Sequence, residues 1–345
     1  MGTKLFNISN EFDEENIKYA AEILKSGGLL AFPTETVYGL GASIAFPDAV
    51  SRIFEVKGRP QDNPLILHIS DLSEISNCAV NVPANAYELA KKFWPGPLTM
   101  ILDKAANIPD VVTAGLDTVG VRCPANAVTR AIIKACGRPV AAPSANLSGK
   151  PSTTNAQHVI HDLLGKIEGI VDGGECAVGL ESTIIDLTTR PPRLLRPGGI
   201  TLSQLEEILG CVEVDPAVKR ALKEGETPKA PGMKYRHYAP RAPLYILRGS
   251  SEKACEFVSQ QKSGKKAVLC YDEEKEIFKK SDAEVYTYGR LENPIELAQQ
   301  LFSRLRELDE TDVNCIYARC PEGDGVEMAI RNRLSKAAGY SFIDL

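Results

Sequence analysis

Two prolines four residues apart, Pro60 and Pro64, stiffen the stretch Lys57–His68, which reads KGRPQDNPLILH. A residue before proline is pushed out of the helical region into an extended conformation. That restriction falls on Arg59 and Asn63. Gly58 lets the chain between Lys57 and Arg59 bend and come close to a ligand. The run Leu65-Ile66-Leu67 is apolar and fits a buried strand. A cation and an amide are thus held on extended backbone at the mouth of a strand. Lys57 and Arg59, two residues apart, suit a polyphosphate, because charge-assisted bonds to phosphate are about twice as strong as neutral ones.

The same layout recurs along the chain. LLAFPTETVYGLGA (29–42) and RPVAAPSANLSGKPST (138–153) each run from a short apolar strand into a polar loop. WPGPLTMIL (94–102) reads as a turn and a strand, TVGVRCP (118–124) as a strand ending in Arg122, and STIIDL (182–187) with RLLRPGG (193–199) as a strand pair. Helices lie between them. Asp13 can cap the first, Glu14 and Glu15 suit its first turn, and Gly27 can end it. A second starts at Pro47, others cover 84–93 and 126–137. Interleaved strands and helices predict an α/β fold.

The length, 345 residues, predicts two domains. Composition changes after about residue 210. Residues 211–241 carry little aliphatic content and three prolines between 228 and 240, which marks a linker. Its stretch PGMKYRHYAP is cationic and aromatic, unlike a plain tether. Strands at 243–247, 265–271, 283–289 and 313–320 follow, with helices at 251–261, 293–308 and 326–338. Asn293 caps the second of these, Pro294 starts it, and Ile295, Ala298, Leu301, Phe302 and Leu305 line one face. The alternation predicts a small doubly wound domain over 242–345.

A net charge of −5 argues against a general nucleic-acid footprint, while leaving room for a local basic cleft. No apolar run approaches 18 residues, so no membrane span is expected. The N-terminus lacks a signal layout and fits the myristoylation spacing poorly. Nine cysteines without a C-x-x-C pair leave zinc or a redox pair unsupported and suit a reducing cytoplasm. A P-loop fails at SANLSGKP (144–151), where Ser144 replaces the first glycine and Pro151 the hydroxyl residue. Gly39-Leu40-Gly41 opens a dinucleotide-like run that fails at Ile44. His158 and His161 lack a carboxylate at metalloprotease spacing, and no hydrolase triad is seen. What remains is a set of loops rich in hydroxyls and amides (Thr34, Glu35, Thr36, Tyr38; Ser144, Asn146, Ser148, Ser152; Glu181, Ser182, Thr183) near Lys57, Arg59, Arg122 and Arg196. One nucleotide-sized site outside the carboxyl ends of the strands is the expected arrangement.

Together PTETVYGLG (33–41), KGRP…NPL…H (57–68), WPGPLT (94–99), VRCP (121–124), APSAN.SG.PS (142–152), ESTI (181–184) and LRPG (195–198) resemble the YrdC-like domain family. The linker motif at Ala230–Pro240 resembles its two-domain form, the L-threonylcarbamoyladenylate synthases, with Ala230 where that form carries serine. The resemblance implies a YrdC-like twisted open-sheet catalytic domain over 1–210, a linker over 211–241 that acts as a lid, and a Rossmann-like domain over 242–345. It implies synthesis of threonylcarbamoyl-AMP and pyrophosphate from L-threonine, bicarbonate or CO2, and ATP. A downstream complex would move the threonylcarbamoyl group to the adenosine beside the anticodon of certain tRNAs. Carried over by motif, Thr36, His68, Arg122, Ser182 and the backbone of Ala142 would surround threonine. Lys57, Arg59, Asn63, Thr118, Ser144, Asn146, Ser152 and Arg196 would surround ATP, with Tyr235 and His237 added from the lid and Lys57 and Arg59 in the catalytic role. Mg2+ is expected on the ATP phosphates, with no protein metal site. Weak RNA binding through a basic concave surface is the family's alternative. Carbamoyl transfer in hydrogenase maturation is a further one, but its zinc-binding cysteine pairs and extra domains are missing here.

Overall fold

The computed structural model describes residues 2–220, 230–231, 237–262 and 264–345. The chain divides into two compact units, Met1–Ser148 with Ser152–Lys234, and Gly149–Pro151 with Tyr235–Leu345. The first unit carries one mixed sheet. Its strands are β1 (Lys4–Asn7), β2 (Leu30–Phe32), β3 (Gly39–Ser43), β4 (Ile66–His68), β5 (Leu98–Asp103), β6 (Thr118–Arg122), β7 (Val140–Ala142), β8 (Gly169–Asp172), β9 (Thr183–Asp186), β10 (Arg193–Arg196) and β11 (Glu213–Val214). They lie in the order β1-β8-β2-β3-β7-β4-β6-β5-β9-β10-β11. Helices α1 (Glu14–Lys25), α2 (Pro47–Lys57), α3 (Ala84–Phe93), α4 (Asp110–Thr113), α5 (Ala127–Cys136), α6 (Ala156–Leu163) and α7 (Leu202–Leu209) pack around it.

The caps expected from sequence hold. The Asp13 side chain accepts from Asn16 N–H, and Asn126 caps α5 by accepting from Thr129 N–H. Buried Ile17, Ala20, Ala21 and Leu24 of α1 join Phe32, Ile132, Ile133 and Val140 in one core cluster. Residues 211–220, inside the stretch read as a linker, are partly folded: β11 pairs parallel to β10, and Pro216–Val218 forms a 3-10 turn.

Strand register places the central residues. Ala142 pairs with Ile66, Ile66 with Gly120, and Gly120 with Ile101. One row along, Val140 pairs with His68 and His68 with Arg122. Paired residues point to the same face, and so do residues two apart on one strand. Thr118, Gly120 and Arg122 therefore share a face with Ile66 and His68. Gly39 and Gly41 have a packing reason in place of a nucleotide one. A Cβ on either would meet the Phe32 ring, at 2.8 and 2.5 Å.

The second unit is a parallel sheet of β12 (Leu244–Arg248), β13 (Lys266–Cys270), β14 (Glu284–Thr287), β15 (Cys315–Arg319) and β16 (Phe342–Asp344), in the order β14-β13-β15-β12-β16. Helices α8 (Ser251–Gln260), α9 (Lys275–Phe278), α10 (Pro294–Asp309) and α11 (Val326–Ala337) connect its strands. Asn293 caps α10 as expected. Ile295, read from sequence as part of the apolar face, is instead 61% exposed, since that face begins at Leu297. No helix among the described residues is long and apolar enough to cross a membrane.

Candidate active site

The polar groups stand in loops and at strand ends: Thr36 between β2 and β3, Ser144 after β7, Ser182 just before β9, and His68, Arg122 and Arg196 as the last residues of β4, β6 and β10. Strands of both directions meet at the centre of the mixed sheet. Thr118 begins β6 and Arg122 ends it. At about 3.3 Å per residue, four residues set them roughly 13 Å apart on one face.

Of the groups read as ATP ligands, Asn63 and Ser144 lie by register toward the Thr118 end, while Arg196 instead bonds Ser182, read as a threonine ligand. Lys57 is the last residue of α2, capped by Gly58 in the left-handed conformation at φ 62°. Its side chain is buried, and Nζ donates to Ser144 O at 2.5 Å and to Asn146 O. The Lys57 carbonyl accepts from Ser148 N–H at 2.9 Å. Lys57 therefore holds the 144–148 loop in shape, a task its sequence context did not reveal. Arg59 Nη2 donates to the carbonyls of Asn63 and Pro64. Asn63 is completely buried, and neither its amide oxygen nor its amide nitrogen has a hydrogen-bond partner. Such a group costs about 1–3 kcal/mol unless something fills its place. Ser144 Oγ donates to Asn146 Oδ1 at 2.5 Å, and Ser152 Oγ to Glu181 Oε1 at 2.5 Å. Thr118 is half-buried.

Arg122, at the other end of β6, donates from Nη1 to Thr36 Oγ1 at 2.9 Å, and Thr36 Oγ1 lies 2.8 Å from Thr34 Oγ1. His68 sits beside Arg122 in the register and meets the Phe32 ring edge-on at 5.9 Å. Burial, with the Arg122 charge second, lowers its pKa to about 3, so the imidazole is neutral at ordinary pH. Ser182 Oγ is 2.8 Å from Thr99 Oγ1 and accepts from Arg196 Nη2 at 3.1 Å. Arg196 Nε also donates to Ser182 O, and Nη1 to Pro231 O. Gly198 lies where a Cβ would meet Thr183 N at 2.4 Å, so the 196–199 turn runs tight against Ser182 and the start of β9. Ala142 presents its backbone in the central row.

Tyr235 lies outside the described residues. His237 belongs to the second unit, where its ring lies 5.6 Å from that of Tyr238, which in turn lies 5.1 Å from Phe302. Sequence reasoning missed Asp162 and Thr99. Asp162 is buried in α6 and its Oδ2 accepts from Leu147 N–H at 3.0 Å. A helical aspartate carries no local signal of that long-range contact.

A face crowded with buried cations, hydroxyls and a neutral histidine, on a mixed sheet joined in the chain to a second, parallel sheet, defines an α/β enzyme of the YrdC-like class. Residues 22–198 match the Sua5/YciO/YrdC family, described as "Telomere recombination", and residues 200–339 match "Threonylcarbamoyl-AMP synthase, C-terminal domain". The threonylcarbamoyl-AMP synthase of Pyrococcus abyssi is 46% identical over 99% of this chain and 99% of its own. That of Bacillus subtilis is 46% identical over 95% and 94%. The crystal structure of P. abyssi Sua5 complexed with L-threonine superposes with a TM-score of 0.92 at 46% identity, covering 99% of this chain and all of the other. The chain belongs to the threonylcarbamoyl-AMP synthase family.

Proposed function

We propose that the chain makes L-threonylcarbamoyl-AMP and pyrophosphate from L-threonine, bicarbonate or CO2, and ATP. The observation that carries this is two sets of buried polar groups on the mixed-sheet unit. Lys57 bonded to Ser144 O, with an unsatisfied Asn63, forms one set, and Arg122 bonded to Thr36, beside a neutral His68, forms the other. The first set suits a nucleotide triphosphate and the second an amino acid. Arg122 would take the threonine carboxylate, and Thr36 and Ser182 offer hydroxyls to the threonine side chain. The amine would be carboxylated without a covalent enzyme intermediate. The carbamate oxygen would then attack the α-phosphorus, breaking its bond to the bridging oxygen of pyrophosphate. The work of the protein is positioning and charge stabilisation, for which Lys57, Arg59 and Arg196 are suited.

Mg2+ would be carried mainly by the phosphates and water. Ser144, Ser152 and Glu181 supply only hard oxygen donors nearby, which fits that ion. When bound it would neutralise charge on the departing pyrophosphate. The product would feed a tRNA-modifying transfer complex in the cytoplasm, with the 211–241 segment, including Tyr235 and His237, acting as a lid. Pyrophosphate release from ATP, measured with each amino acid in turn and with or without bicarbonate, tests the proposal. Release that needs both threonine and bicarbonate is expected. Release indifferent to the amino acid would overturn it.

A further inference from the structure

Arg122 is held by more than the threonine subsite requires. Its side chain is 5% exposed and that of Glu35 11%. Three of its five N–H groups are taken up within the protein. Nε donates to Gly96 O at 3.3 Å, Nη1 to Thr36 Oγ1 at 2.9 Å, and Nη2 to Glu35 Oε1 at 2.6 Å. One N–H on each terminal nitrogen remains, donors that a carboxylate can accept.

Glu35 is itself fixed. Its second carboxylate oxygen accepts from Ala125 N–H at 2.9 Å, and its carbonyl accepts from Val178 N–H at 2.7 Å. A carboxylate anchored at both oxygens sets the plane of the guanidinium it meets, because the Arg fork is rigid. Glu35 also balances the charge of Arg122, which would otherwise be a buried cation without compensation.

We infer that Glu35 is a positioning residue: it aims the two remaining N–H groups of Arg122 at the carboxylate of an α-amino acid. The inference rests on the proposed function, which supplies L-threonine as that amino acid. Glu35 touches no reacting atom in this scheme, so its loss strikes one ligand and spares the other.

The test is titration calorimetry on the full chain, with L-threonine and ATP measured separately. The parent chain is compared with Glu35→Ala and Glu35→Gln. Glu35→Ala is expected to weaken threonine by at least about tenfold, the scale of one charged hydrogen bond, and to leave ATP within about twofold. Glu35→Gln, which keeps one acceptor for Arg122, is expected to fall between. In turnover, KM for threonine rises while kcat at saturating threonine stays near that of the parent. Unchanged threonine affinity in Glu35→Ala overturns the role of Glu35, as does an equal loss for both ligands, the mark of a mere loop staple. If Glu35→Ala does not fold, Glu35→Gln decides by the same criteria, with a threefold threonine loss as the threshold. A parent chain that binds no threonine overturns the functional proposal instead.

Discussion

The two sheets treat buried polar groups differently. At the carboxyl ends of the parallel sheet, Arg319 Nε donates to both oxygens of Glu274, Nη1 to Leu247 O and Nη2 to Gly249 O. Ser251 Oγ donates to Glu274 as well, and Tyr288 OH to Arg319 O. This is the location where an open α/β sheet commonly takes a ligand, yet its polar groups answer one another. On the mixed sheet, neither polar atom of the buried Asn63 side-chain amide has a partner. Burial of charge alone does not mark a site. Unused hydrogen-bonding capacity in a buried group does, because its cost is recovered only when something binds.

The largest expected effect breaks the open side of this contrast. Lys57→Ala removes a phosphate ligand and frees the carbonyls of Ser144 and Asn146, so pyrophosphate release should be abolished. Stability should also drop, by about 1.5–3 kcal/mol for each charged bond lost. Arg59→Ala should abolish release with a smaller cost to stability. Denaturant unfolding alongside the assay separates the two, and near-parent activity in both variants would remove them from the site.

Glu274→Ala breaks the closed side. It strands the largely buried Arg319, at a cost of about 3–5 kcal/mol, while KM for threonine in the folded fraction should not move. A changed KM with unchanged stability would reverse the contrast.

The next effect is set by pH. The folded pKa of His68 lies near 3, below its ordinary 6.5. The unfolded chain therefore binds the proton first, and stability from the neutral imidazole is complete above about pH 6.5. It drains away as pH falls toward 3. Replacing His68 by Gln should flatten that part of the stability curve, as chemical unfolding at stepped pH can show. Identical slopes for parent and variant would place the depressed pKa in doubt.

The smallest effect concerns side-chain choice. Serine, lacking one methyl, should trail threonine by about 10–200-fold in kcat/KM. Valine should fare worse, because it leaves a hydroxyl partner unpaired. Equal turnover of valine and threonine would exclude hydroxyl recognition by Thr36 or Ser182.

Local signals carried much of this structure. Asp13, Asn126 and Asn293 cap the helices their positions suggested, because capping is settled within four residues. The short edge strand β1 and its partner β8 left no comparable mark. The loops bearing Thr36, Lys57, Ser144 and Ser182 were visible as polar stretches after apolar ones. Which of these loops come together follows from register, which depends on pairings between residues far apart in sequence. The buried duty of Lys57 was hidden for the same reason: its carbonyl partners lie 87 and 89 positions away.

The place of β15 in the second sheet bears on how the protein is made. β15 lies between β12 and β13, yet it is the fourth of the five strands to leave the ribosome. Until Cys315–Arg319 have been synthesised, β12 has no neighbour in the sheet and β13 has only β14. Both are rich in apolar residues, and an unpaired apolar strand is a template for association between chains. A product cut short before residue 315 should therefore be a substrate for chaperones or proteases, because the strand that would hide those edges is the part it lacks.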